Sequence, residues 1–383
     1  MIHYARIISC YAADTSGVCS ALFELGGMVV VHDASGCNST YSTHDEPRWY
    51  DMDSMIYISG LTEIDAVMGN DEKFISDVCK AAEDLHPAFI AICGSPMPAM
   101  TGTDFDAIAD IIEQRCNIPT FAMNTNGMHS YLDGASQAFS MLAENFCEKT
   151  ECEKSDKIKL NIIGATPLDF SRQEIVDDIK KWAYESGFEI CCTMAMGDTL
   201  ENIRNAGNAD CSLVISYSGF EAAKILERRF GIPYVVGVPF GEKFSRLLKD
   251  EILKANNEKC NILSAAKHLC DENCKTVIVG ESVYSTSLAR ALELDFGRNS
   301  RVICTLDTQK DLLCENDLCA ADECVLAQIF QGCETVIADP LFKPIVPENV
   351  KFIGLPHEAF SGRCFRKDIP NLINKKLGDK FER

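Results

Sequence analysis

Apolar runs of four or five residues alternate along the whole chain with longer stretches whose apolar positions recur three and four apart. That rhythm predicts strands joined by helical crossovers into parallel sheets, and it argues against bundles and sandwiches. In the first unit, strands are predicted over Met28–Val31, Met55–Ile58, 88–92 and Thr120–Met123, with helices near Asp71–Leu85 and 104–116. The polar stretch 148–157 closes it. A second unit opens with a strand over 158–163, then a helix over 172–186 ended by Gly187, then strands at Glu189–Cys192, 212–216 and Tyr234–Val236. A third carries strands at Thr276–Gly280, 301–305, Thr335–Ala338 and Lys351–Gly354. The expected architecture is α/β, three doubly wound (Rossmann-like) domains with parallel sheets, spanning 1–150, 157–262 and 270–383.

Composition narrows the class. With 46% hydrophobic and 24% charged residues, 383 residues can bury more than one core, and no apolar run approaches the length of a membrane span. The amino terminus shows no charged leader followed by an apolar segment and a cleavage site, so the expected compartment is the cytoplasm. A net charge of −21 repels phosphate backbones and anionic lipid, which speaks against nucleic acid and membrane surfaces as partners. Twenty cysteines in such a chain read as reduced thiols, most of them structural, with some available to a metal.

Two cysteines stand out by position. Cys10 follows the short apolar run 6–9 and Cys37 follows Met28–Val31 and His32-Asp33-Ala34-Ser35-Gly36, so both fall just beyond predicted strand ends, where open α/β sheets bind ligands. Cys19 lies on the helix expected to begin near Ser16 and is either core or a substitute ligand. Cys314, Cys319 and Cys324 are spaced so that no single helical face carries them, and Cys191-Cys192 and Cys270 with Cys274 lack a zinc-ribbon pattern. There is no GxxxxGK[ST] loop; Gly237 to Lys243 has the wrong spacing, so the chain is not expected to hydrolyse ATP itself.

Several segments together resemble nitrogenase component 1: Cys10, then HDASGC (32–37), LTEIDAVMGNDEKF (61–74), CGSPMPAMTGTDFDAIA (93–109) and NIPTFAMNTNG (117–127), followed by SYSGFEAAKILERRFGIPYVVGVPFG (216–241), ADPLFKPIVP (338–347) and GLPHEAFSGR (354–363). Relatives of that family include dark-operative protochlorophyllide reductase and a nickel-tetrapyrrole reductive cyclase. The resemblance implies a homodimer or a pairing with a paralogous subunit. It also implies an iron–sulfur cluster, 4Fe-4S or larger, held at the subunit interface by first-domain thiolates. Cys37 matches the second ligand, with Gly36 allowing close backbone approach, and Cys10 matches the first by its spacing from Cys37. The third position, six residues before Gly102, holds Pro96, with Cys93 three residues earlier. A shifted loop could restore Cys93, the cluster could be shared with fewer thiols per subunit, or the metal could be lost.

The loop that carries the cofactor cysteine in true nitrogenase reads Ile215-Ser216-Tyr217 here, so no molybdenum cofactor and no dinitrogen reduction are expected. His357 falls near that family's cofactor histidine but reads more simply as a loop histidine satisfied by backbone. His32, Asp33, His44, Asp45, Glu46 and Arg48, with Asn38, Ser39 and Thr40, either donate protons or form a capped, solvated helix start. Thr103 and Asp104 read as helix N-terminal residues. Electrons would come from a separate ATP-dependent iron protein. The leading expectation is an oxidoreductase subunit reducing an unknown substrate; the alternatives are a scaffold or carrier for metallocofactor assembly, and a metal-free small-molecule binding protein.

Overall fold

The computed structural model describes residues 10–34, 46–150, 157–271, 274–319, 322–378 and 381. It contains three all-parallel sheets. The first orders β1 (Met28–Val31), β2 (Met55–Ile58), β3 (Ile90–Cys93) and β4 (Thr120–Met123) as β2-β1-β3-β4. The second orders β5 (Lys159–Ile163), β6 (Glu189–Cys192), β7 (Cys211–Val214) and β8 (Tyr234–Val236) as β6-β5-β7-β8. The third uses β9 (Thr276–Gly280), β10 (Arg301–Cys304), β11 (Leu318–Cys319), β12 (Thr335–Ala338) and β13 (Lys351–Gly354) in the order β11-β10-β9-β12-β13. Each sheet therefore starts in its interior, adds strands on one side, and then crosses to the other. This is the doubly wound pattern expected from the sequence.

Strand alternation divides the core of the first unit. Met28, Val30, Ile90 and Ile92 face the helices Asp71–Leu85 and Phe105–Cys116 through Phe74, Ile75, Val78 and Ile112. Their neighbours Val29, Val31, Ala91 and Cys93 point the other way, into a core shared with Val18, Cys19, Leu22 and Phe139. Register pairs Cys93 with Val31 and Met123, so β3 ends on Cys93 rather than at Ile92. Two expectations shift. The first described helix begins at Asp14 rather than Ser16, and β11 escapes sequence reading because two residues carry no apolar run.

The helices Asp14–Leu22 and Tyr131–Asn145 cross with almost no space between their backbones. A Cβ on Gly17 would sit 2.0 Å from the Tyr131 carbonyl oxygen, and one on Gly134 would sit 1.8 Å from that of Asp14. Hydrogen at these two positions is what permits the approach. The buried Asp14 carboxylate then accepts the Asn126 and Gly127 amides at 2.9 and 2.8 Å, fastening the loop that leads into Tyr131. Helix Tyr131–Asn145 also packs against Phe220–Phe230, which makes the first and second units share one core.

Gly134→Ala is expected to lower unfolding free energy by about 3 kcal/mol, the range of an overpacked core site with backbone as the obstacle. Urea unfolding measures it; a midpoint equal to wild type would refute the close crossing.

Candidate functional site

In a doubly wound sheet the loops beyond the carboxyl ends of the central strands splay apart and leave a crevice. Here the second and third crevices face each other, with the amino end of helix Tyr131–Asn145 between them. The loop after β5 leads into Asp169, β9 is followed by Glu281, and β12 by Asp339. Contacts close the junction from every side. Tyr131 Oη donates to Asp169 Oδ1 at 2.5 Å, the Tyr217 amide donates to Glu281 Oε1 at 3.0 Å, and Ser171 Oγ donates to Glu358 Oε2 at 3.0 Å.

The junction is rich in acid, and Arg366 pairs with Glu358 at its edge at 2.5 Å. Glu281 is 1% exposed; burial, followed by the nearby Asp169, pushes its carboxyl up to about 7. Amides of Val283, Tyr284 and Tyr217 oppose the rise by donating to it, and it also caps the helix Ser282–Phe296. Burial raises Asp339 as well, and it lifts the Tyr131 phenol well above its ordinary value with Asp169 adding to the effect. His357 sits 3.3 Å from Asp169 Oδ1 through Nε2, yet neither ring nitrogen makes an aligned hydrogen bond. Its backbone amide donates to Asp339 Oδ2 at 2.8 Å. Sequence reading expected a ring satisfied by backbone; the structure instead leaves the imidazole facing a carboxylate in a packed interior.

Beside this interior lies an open cleft of about 640 Å³, between the amino-terminal segment and the third sheet, lined by Cys10, Tyr11, Met128, His129, Asp307 and Cys319 among others. Its volume suits a small organic ligand. Ser130 Oγ donates to Asp307 Oδ2 at 2.8 Å across it. Cys10 belongs to both regions. Its thiol donates to Ala359 O at 3.1 Å and Ala12 O at 3.3 Å, and burial, reinforced by Asp169 and Asp339, pushes it up to about 12.

The other sequence candidates separate. Cys19 and Cys93 share the first unit's apolar core; burial pushes Cys19 up to about 12 and Cys93 well above the usual thiol range. His32 packs on Phe74, with ring centroids 4.1 Å apart, its Nδ1 lies 2.9 Å from Ser59 Oγ, and burial lowers its pKa. Asp33 Oδ1 accepts from Ser95 Oγ at 2.8 Å. Glu46 and Arg48 form a buried ion pair that Glu24 extends, with Arg48 2.7 Å from each carboxylate, so both serve as structural anchors. Asp104 caps the helix Phe105–Cys116 by accepting from the Ala107 amide at 3.1 Å. Cys37, Gly36, His44, Asp45 and Asn38 to Thr40 lie outside the described residues. Tyr131, Asp169, Glu281 and Asp339 were not singled out from sequence. The available signal was an acid directly after a strand, in TVIVGE and TVIAD.

Fold and crevice together define a three-sheet α/β protein with an open cleft beyond the carboxyl ends of its strands. The chain belongs to the nitrogenase component 1 type oxidoreductase family, whose sequence model matches residues 15–322. It is 24% identical over 223 residues to the nitrogenase iron-molybdenum cofactor biosynthesis protein NifE of Clostridium pasteurianum, covering 57% of this chain and 47% of that protein. It is 21% identical over 257 residues to a light-independent protochlorophyllide reductase subunit of Gloeothece citriformis, covering 60% and 51%. Against the nitrogenase molybdenum-iron protein alpha chain of Methanothermobacter marburgensis, identity is 24% over 285 residues, covering 70% and 59%. The chain thus spans about half the length of the first two of these relatives. The solved structure "Nitrogenase Cp1 at pH 5" superposes with a TM-score of 0.67 at 15% identity, over 95% of this chain and 86% of that one, which shows the fold. No helix among the described residues is long and apolar enough to cross a membrane.

An acid raised on folding binds its proton more tightly in the native state, so native protein carries more protons than unfolded chain between about 4.5 and 7, and stability falls as pH rises through that window. Glu281→Gln removes the titration. Wild type is expected to lose up to roughly 3 kcal/mol relative to the variant between pH 4.5 and 7.5. Parallel stability profiles from urea unfolding would show Glu281 to be ionised throughout.

Proposed function

We propose that this chain is the substrate-reducing subunit of a nitrogenase-like oxidoreductase. It would take electrons from an ATP-dependent iron protein and deliver them, with protons, to an unsaturated organic substrate other than dinitrogen. The observation that carries this reading is the cleft walled by Cys10 and backed by Tyr131, Asp169, Glu281 and His357. Reduction of a multiple bond consumes protons as well as electrons, and a carboxyl group raised to about 7 beside an imidazole and a phenol is suited to supply them.

The thiols fit an iron–sulfur cluster unevenly. Cys10 fits, since it is half-buried on a cavity wall, and a bound cation would offset the burial and carboxylates that keep its thiol protonated. Cys19 and Cys93 fit poorly, being enclosed in the core with Val18, Leu22 and Phe139. The ligand set we propose is Cys10 and Cys37 from each of two chains, giving the four thiolates a cubane takes. Such a cluster would supply single electrons at low potential. The second chain is a further copy or a paralogous subunit. A partner-covered surface is supported by the helix Glu63–Met68, which buries none of its residues and exposes Ile64, Val67 and Met68 beside Met100. At the loop where a molybdenum-type cofactor would need a thiol, Ser216 Oγ instead caps the Ser218 amide. No such cofactor is proposed.

The NifE relative, whose name is that of a cofactor biosynthesis protein, favours one second reading: a scaffold that assembles and passes on a metallocofactor. Turnover with an iron protein and ATP supports reduction, whereas metal transfer to an acceptor apoprotein without turnover supports the scaffold.

Anaerobically purified protein is expected to contain iron and acid-labile sulfide, and to give a paramagnetic signal after dithionite reduction that Cys10→Ala and Cys37→Ala each abolish. Absence of both elements, or a signal indifferent to both variants, defeats the cluster assignment. Val67→Glu is expected to shift sedimentation toward the monomer. A wild type that is itself monomeric at all concentrations removes the partner interface.

A further inference from the structure

The third unit gathers a second set of metal-binding side chains away from the cleft contacts that define the proposed active site. Two segments meet there: residues 264–271 with Cys274, on the way from the second sheet into β9, and the turn 313–317 that precedes β11. His268 and Asp317 have no side-chain exposure, and His268 Nε2 lies 3.3 Å from Asp317 Oδ1 and 3.2 Å from Oδ2. The donor atoms of His268, Cys314 and Asp317 all fall within 4.8 Å of one another. Cys270 brings its thiol toward Asp317, Cys274 and Cys314, and Cys274 Sγ accepts the Asp271 amide at 3.4 Å. Asn316 Nδ2 donates to the Cys270 carbonyl at 2.9 Å, which ties the two segments together.

The geometry of His268 asks for a cation. Its Nδ1 faces the Ala265 carbonyl at 3.3 Å, where only an N–H is acceptable, and this tautomer leaves an Nε2 lone pair facing the Asp317 carboxylate. Two electron-rich groups at that distance repel unless a proton or a metal ion lies between them. A metal ion also accounts for the Cys314 thiol, whose sulfur lies within 4.8 Å of both donor atoms, and for the Cys270 thiol turned toward the same carboxylate. Asp317 is already committed elsewhere, with Oδ1 accepting the Val302 amide and Oδ2 the Cys314 amide, each at 2.8 Å. Each oxygen keeps a second lone pair, so Asp317 is a ligand fixed in place by two backbone amides. A ring N–H turned to a backbone carbonyl, with the other nitrogen left to a cation, is the arrangement that fixes metal-bound imidazoles.

We propose that His268, Cys314 and Asp317 hold one tetrahedral divalent ion of borderline-soft character, zinc by its chemistry, with the Cys270 thiol of the facing segment as the fourth ligand. Cys274, which accepts the Asp271 amide, packs beside that thiol. Two thiolates, one imidazole and one carboxylate form a closed structural set with no position left for substrate. The ion would staple the segment that enters the third unit to its edge strand β11.

Cobalt(II) is the probe, added to reduced full-length protein after chelator treatment. Wild type is expected to bind one equivalent with thiolate-to-cobalt charge-transfer absorption and tetrahedral d–d bands. Cys270→Ser/Cys274→Ser, whose altered side chains are only half-buried, is expected to bind at least about 100-fold more weakly, beyond the loss seen when an outer partner is removed. Cys319→Ser, outside the set, is expected to keep the spectrum. Zinc is expected to raise the melting temperature of wild type and leave the double variant unchanged. Wild type without the charge-transfer absorption overturns the site even if the double variant fails to fold. A spectrum equal in wild type and the double variant overturns it as well.

Discussion

The structure depends on keeping several acids dry in one place. The second and third parallel sheets turn their carboxyl-end loops toward a common interior, which brings Asp169, Glu281 and Asp339 together. Leaving all of them ionised would cost several kcal/mol each without compensation. Compensation comes locally. Backbone amides serve Glu281 and Asp339, the Tyr131 hydroxyl serves Asp169, and Glu281 keeps its proton to about 7. Tyr131 reaches Asp169 only because Gly17 and Gly134 let two helices touch backbone to backbone. A steric constraint in the first unit thus sets the electrostatics of the other two.

Strand runs such as MVVV, TFAM, TVIVG and TVIA carried enough periodicity to place nearly every sheet element from sequence, because burial on both faces selects continuous apolar residues. The short edge strand β11 was not legible, since two residues have no period. The polar junction was less legible than the sheets for a related reason. Asp169, Glu281 and Asp339 are far apart in the chain, and an acid after a strand is common; only the meeting of the second and third sheets gives those positions chemistry. Cys93 shows the reverse case. Its place in a motif made it a candidate ligand from sequence, and the structure sets its side chain in the apolar core at the end of β3.

Burial sorts the cysteines more sharply than spacing does. Cys19, Cys93, Cys147 and Cys192 lie in the large core, where desolvation holds each thiol neutral and chemically quiet. Cys10 and Cys319 sit on the wall of a cleft, where an electrophile, a metal or a partner can reach them. Cys270, Cys274 and Cys314 form a third class, brought together on loops beside a buried histidine and carboxylate. These nine cysteines therefore form three populations by environment, and the resemblance motifs touch only some of them.

The edge strand connects the last two populations. Among the described residues β11 pairs through Leu318 and Cys319 with Ile303 and Cys304, a short ladder. On its amino side the turn 314–317 is held by Asp317, which ties β10 through the Val302 amide and faces His268. On its carboxyl side Cys319 forms part of the cleft wall, its thiol 3.7 Å from the Leu306 carbonyl that also accepts from Cys304 at 3.3 Å. Whatever fixes the turn consequently fixes that wall. An ion bound by His268, Cys314, Asp317 and Cys270 would act on the cleft through two residues of strand, with no contact to the ligand it holds.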